Sequence, residues 1–115
     1  MKRLLALLLS IASTCTFAGG STAWAVPTKL DVVPGQGVMV YGAFGNPAGC
    51  TTSDMFWVPV SNAAYTQIYA ALMTAVASGK EVTMYMGSCT PVLWYALETT
   101  TFNQPVGIQA FSIRN

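Results

Sequence analysis

The chain has 115 residues and a formal charge of +1, with 53% hydrophobic and only 8% charged residues. It has no histidine, four carboxylates and three cysteines, so it is short of the groups that acid–base catalysis and metal sites use. With five Lys and Arg against four carboxylates, nothing in the composition suggests an electrostatic binder of nucleic acid or of an anionic membrane.

The N-terminus reads as a secretory leader. Met1-Lys2-Arg3 is a basic n-region, Leu4 to Ala12 an apolar h-region, and Ala23-Trp24-Ala25 a small-x-small cleavage site. This predicts a signal peptide over 1–25 and a single domain over 26–115, exported to the periplasm or secreted. The apolar run is far shorter than the roughly 20 residues that span a bilayer, so no transmembrane segment is expected. Thr14 stands where a lipobox ending at Cys15 needs Gly or Ala. The product keeps Lys29, Lys80 and Arg114 against Asp31, Asp54, Glu81 and Glu98, a formal charge of −1. It also keeps two cysteines, Cys50 and Cys89, which in an oxidising compartment have only each other to pair with. Closing that loop would add roughly 4 kcal/mol by the chain-entropy argument. So small a domain buries only about 60 to 70% of its unfolded surface, and a staple suits it.

Lys29-Leu30-Asp31-Val32-Val33 is a short strand, Pro34-Gly35-Gln36-Gly37 a turn, and Val38 to Phe44 a second strand. Gly45-Asn46-Pro47-Ala48-Gly49 is a loop, with no Walker lysine to make it a phosphate cradle. Asp54 to Val60 is β-forming until Pro59 removes a ladder donor. A helix follows, capped by Ser61 or Asn62 and ended by Gly79, with Tyr65, Ile68, Tyr69, Leu72, Met73 and Val76 at helical spacing. Its other face carries no charge. Glu81 to Cys89 alternates with Val82, Met84 and Met86 on one side, so Tyr85 points the opposite way. Pro91 to Leu97 is a β-rich segment. After the polar run Glu98 to Thr101 and a turn at Asn103-Gln104-Pro105, Val106 to Ile113 is the closing strand.

Strand, strand, strand, helix, strand, strand predicts a mainly β fold with one helix. It suits a small OB-fold-like five-stranded Greek-key barrel, with an α+β sheet carrying the helix on one face as its rival.

The order of Cys50, Trp57-Val58-Pro59, Ser78-Gly79-Lys80-Glu81-Val82, Cys89, Trp94, Thr101-Phe102-Asn103 and Val106-Gly107-Ile108 resembles bacterial AB5 toxin binding subunits. The likeness is to B subunits of the subtilase-cytotoxin and typhoid-toxin type. It covers about the last two thirds of the domain, and residues 26–49 have no part in it. The resemblance implies an OB-fold protomer, a homopentamer, recognition of sialylated or other host glycans, and in that family a catalytic A subunit as partner. It transfers no sugar-contacting residue. A non-toxin structural or inhibitory domain of the periplasm shares the same bulk features.

Residue chemistry alone supplies the ligand candidates. Neutral sugars stack on aromatic faces and bond short polar groups, which singles out Tyr41, Tyr85, Trp94 and Tyr95, with Asn103 and Gln104 as polar neighbours. Tyr85, opposite the Val82-Met84-Met86 face, is expected to be the most exposed. Asp54 and Glu98 are the one pair to weigh as glycosidase acid and base, and isolated surface carboxylates explain them more simply. No enzyme activity, cofactor or metal is expected.

Overall fold

A strand that is apolar at every position, not at every second one, is covered on both faces. Val38-Met39-Val40 and Phe56-Trp57-Val58 form the centre of the fold for this reason, and all six are buried. The structure, a computed structural model, describes residues 19–93 and 95–115. Residues 1–18, which carry the n- and h-regions of the predicted leader, and Trp94 lie outside the described residues.

The elements are β1 (Gly20–Ser21), β2 (Lys29–Val33), β3 (Gly37–Tyr41), β4 (Met55–Pro59), α1 (Tyr65–Ser78), β5 (Glu81–Met86), β6 (Ser88–Pro91), β7 (Thr101–Gln104) and β8 (Phe111–Arg114). One sheet has the order β2-β3-β4-β7-β6 and the other β1-β5-β8. β2, β3 and β4 form an antiparallel meander. β7 then joins β4 in parallel, Phe56 opposite Asn103, and β6 pairs antiparallel with β7. The protein is mainly β with one helix among the described residues. Neither sheet closes on itself, so two open sheets stand where the sequence reading expects one barrel.

The pleat sends alternate residues of β3 and β4 to opposite faces. Leu30, Val38, Val40, Phe56 and Val58 face a first core with Ile68, Leu72 and Ala75 of α1 and Val82, Met84 and Met86 of β5. Phe44 and Phe56 meet edge-on there, centroids 4.9 Å apart. Met39, Trp57 and Phe102 face the other way, under Val92, Tyr95 and Ala96 of the loop after β6. Each large side chain so buried contributes about 1.5–3 kcal/mol.

Several local expectations hold. β2 and β3 flank the 34–36 turn, β4 ends at Pro59, and β5 buries Val82, Met84 and Met86 alternately. Gly79 ends α1 in the left-handed region (φ 69°), its N–H and that of Lys80 both donating to Ala75 O. The N-terminal cap differs. Helical geometry begins after Ala64, and Asn62 Oδ1 accepts the Ala64 N–H (2.9 Å) from two residues ahead of the cap position, so it does not cap α1. The buried seam of α1 is Ile68, Leu72 and Ala75, while Met73 and Val76 are exposed.

Two strands are displaced from expectation. Thr101–Gln104, read as the end of a polar run and the start of a turn, is β7 in the larger sheet. The expected strand from Pro91 to Leu97 instead ends with β6 at Pro91, and the last strand begins only at Phe111. Within the segment Gly19 to Ala25, which the cleavage-site reading gives to the leader, β1 is an edge strand of the three-stranded sheet. Gly20 lies opposite Met86, Ser21 opposite Tyr85, and Ala25 bridges to Val82.

Candidate functional site

Cys50 and Cys89 are joined by a disulfide, with Cα atoms 5.4 Å apart. Cys50 precedes β4 and Cys89 lies in β6, so the bond ties the 45–54 loop to the edge of the larger sheet. Asn46 fastens the same loop. Its Nδ2 donates to Cys50 O (2.7 Å), and its Oδ1 accepts the Cys50 N–H (2.7 Å). Asp54, in a left-handed conformation (φ 61°), accepts the Gly45 N–H (2.8 Å). This carboxylate therefore pins a turn.

Of the residues singled out as sugar contacts, Tyr41 and Tyr95 come together. Both hydroxyls donate to Asp31 Oδ2, Tyr41 at 2.9 Å and Tyr95 through a short bond. Lys29 Nζ lies 3.5 Å from Asp31 Oδ1 and 4.7 Å from the Tyr41 ring centroid. Burial, then the hydrogen bond to Asp31 and its charge, push the Tyr41 phenol up to about 12. Tyr95 also meets Phe102 edge-on, centroids 6.0 Å apart. The cluster thus clasps the 92–100 loop onto the sheet face that carries Met39 and Trp57. Both rings belong to that packing.

Asn103 is buried inside β7, only 1% exposed. Its Oδ1 accepts the Ala48 N–H (2.8 Å), and its Nδ2 donates to Asn46 Oδ1 (3.0 Å) and Thr52 O (3.4 Å). Those bonds make it a strut between β7 and the disulfide loop. Tyr85 is half-buried on β5 opposite Ser21 of β1, away from the other candidates. Trp94 lies outside the described residues.

The structure opens two adjoining grooves beside the β4–α1 connection, which sequence reading did not single out. The larger, about 470 Å³, runs between the β2–β3 turn and the end of β6. Pro91 and Leu93 supply its exposed apolar surface, Trp57 borders it while only 6% exposed, and Gln36 and Ser61 supply its polar groups. The smaller, about 300 Å³, shares Pro59 and Ser61 and continues past Asn62 to Gln104 and Ile108. Among the described residues that line them, none is ionisable. Val60 N donates to Gln36 O (3.0 Å), which holds the turn beside the connection and fixes the groove width. A Cβ on Gly37 would lie 2.6 Å from Trp57 Cζ2 and collide with Val58 O, so the indole lies directly across the Gly37 backbone. Trp57 two residues before Pro59, with Gly37 opposite Pro59 across the ladder, is the signal that marks this site in retrospect.

The described lining residues of the grooves offer apolar surface and neutral hydrogen-bonding groups to a ligand. Among the described residues no three His, Cys, Asp or Glu side chains converge as a metal site, and no helix is long and apolar enough to cross a membrane. Comparison of the chain with known protein families, with curated proteins and with solved structures finds no match.

Proposed function

We propose that this chain is an exported, non-catalytic carbohydrate-recognition subunit that binds neutral sugars in the groove beside Trp57. The observation that carries the reading is a groove of about 470 Å³ whose walls combine prolines and an exposed leucine, beside the largely buried Trp57 indole, with Gln36 and Ser61, and none of the described lining residues is ionisable. A pyranose has the same split character: C–H faces that pack on apolar surface, and hydroxyls that bond short polar groups. A cation would favour a sialic acid carboxylate, and among the described residues that line the groove there is none. The reading therefore favours neutral glycans over the sialylated ones.

The resemblance to AB5 binding subunits adds an OB-fold protomer, a ring of identical subunits and a catalytic A subunit as partner. The exposed side of α1, with Thr66, Gln67, Ala70, Met73, Thr74 and Val76 and no charge, supports self-association. Weak sites repeated around a ring would bind a glycan-covered surface tightly through effective concentration.

A glycan array probed with the purified protein tests the reading, with Gln36→Ala and Leu93→Ala as groove variants. Both residues are exposed, so the fold is expected to survive. Neutral glycans should bind, and both substitutions should abolish the signal. Signal lost in Tyr85→Ala but kept in Gln36→Ala would move the site to the smaller sheet. An empty array would favour a protein partner for the exposed Val60, Leu93 and Ile108 around the grooves, the inhibitory role.

A further inference from the structure

We infer that the exported protein begins at Gly19, its leader being cut between Ala18 and Gly19, so that β1 belongs to the mature fold. The segment Gly20 to Ala25 is bonded mostly to β5, through the β1 pairing and the Thr22 and Ala25 N–H groups, and at Ala23 to the loop after β3. The Thr22 N–H donates to Met84 O (2.9 Å), the Ala23 N–H to Phe44 O (3.1 Å) and the Ala25 N–H to Val82 O (3.2 Å). In return the Val82 N–H donates to Ala25 O (2.9 Å), and Thr83 Oγ1 to Thr22 O (2.7 Å). Thr22 and Ala25 are buried, and the Trp24 ring lies 4.1 Å under the Arg114 guanidinium, itself paired with Glu81. β5 is the middle strand of this sheet, with β8 on its other side. A chain beginning at Val26 would strip one edge of β5 and part of the cover over Val82, Met84 and Met86.

The sequence contains a cleavage site that spares these contacts. Thr16-Phe17-Ala18 also places small residues at the first and third positions, and it follows the apolar run more closely than Ala23-Trp24-Ala25 does. Signal peptidase would catalyse addition of water across the Ala18–Gly19 peptide bond. The water oxygen becomes part of the Ala18 carboxylate, and both its hydrogens reside on the new Gly19 ammonium. Lys2, Arg3 and Cys15 still leave with the leader, so the disulfide and the charge of the mature chain are unaffected.

Intact mass of the protein, expressed as the full chain in a bacterium and recovered after export, decides the matter. The expected mass is that of residues 19–115 with the disulfide closed. A start at Val26 or elsewhere, or an uncleaved chain, would overturn the inference. Ala18→Leu should accumulate precursor. Ala23→Leu, at an exposed position that the Val26 site needs small, should change the mass only by the substitution itself. The reverse pattern would restore cleavage after Ala25. Amide exchange on the recovered protein should find Thr22, Ala25 and Val82 protected together, and immediate exchange at all three would show that β1 is not part of the sheet.

Discussion

Replacing Asp31 by alanine removes the one acceptor that Tyr41 and Tyr95 share. A hydrogen bond to a charged group is worth about 1.5–3 kcal/mol when dry. The Asp31 side chain is 29% exposed, so water competes for it and offers the stranded hydroxyls partial replacement. The expected loss for Asp31→Ala is about 2 kcal/mol in all, a fall in melting temperature of about 8–16 °C for a domain of this size. Asp31→Asn, which keeps an acceptor and loses the charge, should cost about half as much. Lys29→Ala should cost under about 1 kcal/mol because its ammonium is solvated. Urea unfolding followed by tryptophan fluorescence measures all three, and a double-mutant cycle with Tyr95→Phe should return about 1 kcal/mol of coupling. The pH dependence follows from the same contact. Folding holds the Tyr41 proton to about 12, whereas the unfolded phenol loses it near 10. Over that interval the unfolded chain binds fewer protons than the native one, so stability is intact below pH 10 and declines as pH rises towards 12. Tyr41→Phe should flatten the decline. Asp31→Ala within about 0.5 kcal/mol of the parent protein, with no coupling to Tyr95, would refute the clasp.

Reduction of Cys50–Cys89 should destabilise the fold by roughly 4 kcal/mol, and thiol titration of the unfolded, unreduced mature protein should find none free. Asn103→Ala strands the buried Ala48 N–H and should cost about 1–3 kcal/mol with the disulfide still closed, read from the urea midpoint. Leu72→Ala should cost about 2–5 kcal/mol, while Met73→Ala, next along the same helix but exposed, should stay within about 0.5 kcal/mol. Light scattering after size exclusion should find an oligomer that Met73→Glu dissociates without unfolding; a monomer at tens of micromolar would remove the ring from the proposed function.

What could be read along the chain was whatever a few neighbouring residues decide. Apolar residues at successive positions mark β3 and β4, strict alternation marks β5, and Pro59 and Gly79 end their elements by backbone chemistry. The pairing of Cys50 with Cys89 needed only a count of cysteines once the leader was set aside. β7 escaped because Thr-Phe-Asn-Gln carries no strand pattern of its own. It becomes a strand when β4 and β6 accept its backbone on either side, and Asn103 becomes tolerable inside because Ala48, Asn46 and Thr52 meet its amide. The aromatics proposed as sugar contacts were chosen by residue type. Type does not say that Asp31 will draw Tyr41 and Tyr95 into one clasp, or that Trp57 and Gln36 will end up on the walls of one groove. Cleavage-site chemistry was likewise legible at Ala25, yet the fate of residues 19–25 depends on whether β5 needs a partner on that edge. Periodicity and turn chemistry are properties of adjacent residues, whereas burial and strand pairing depend on which distant backbone arrives to take each hydrogen bond, and only the folded chain supplies that.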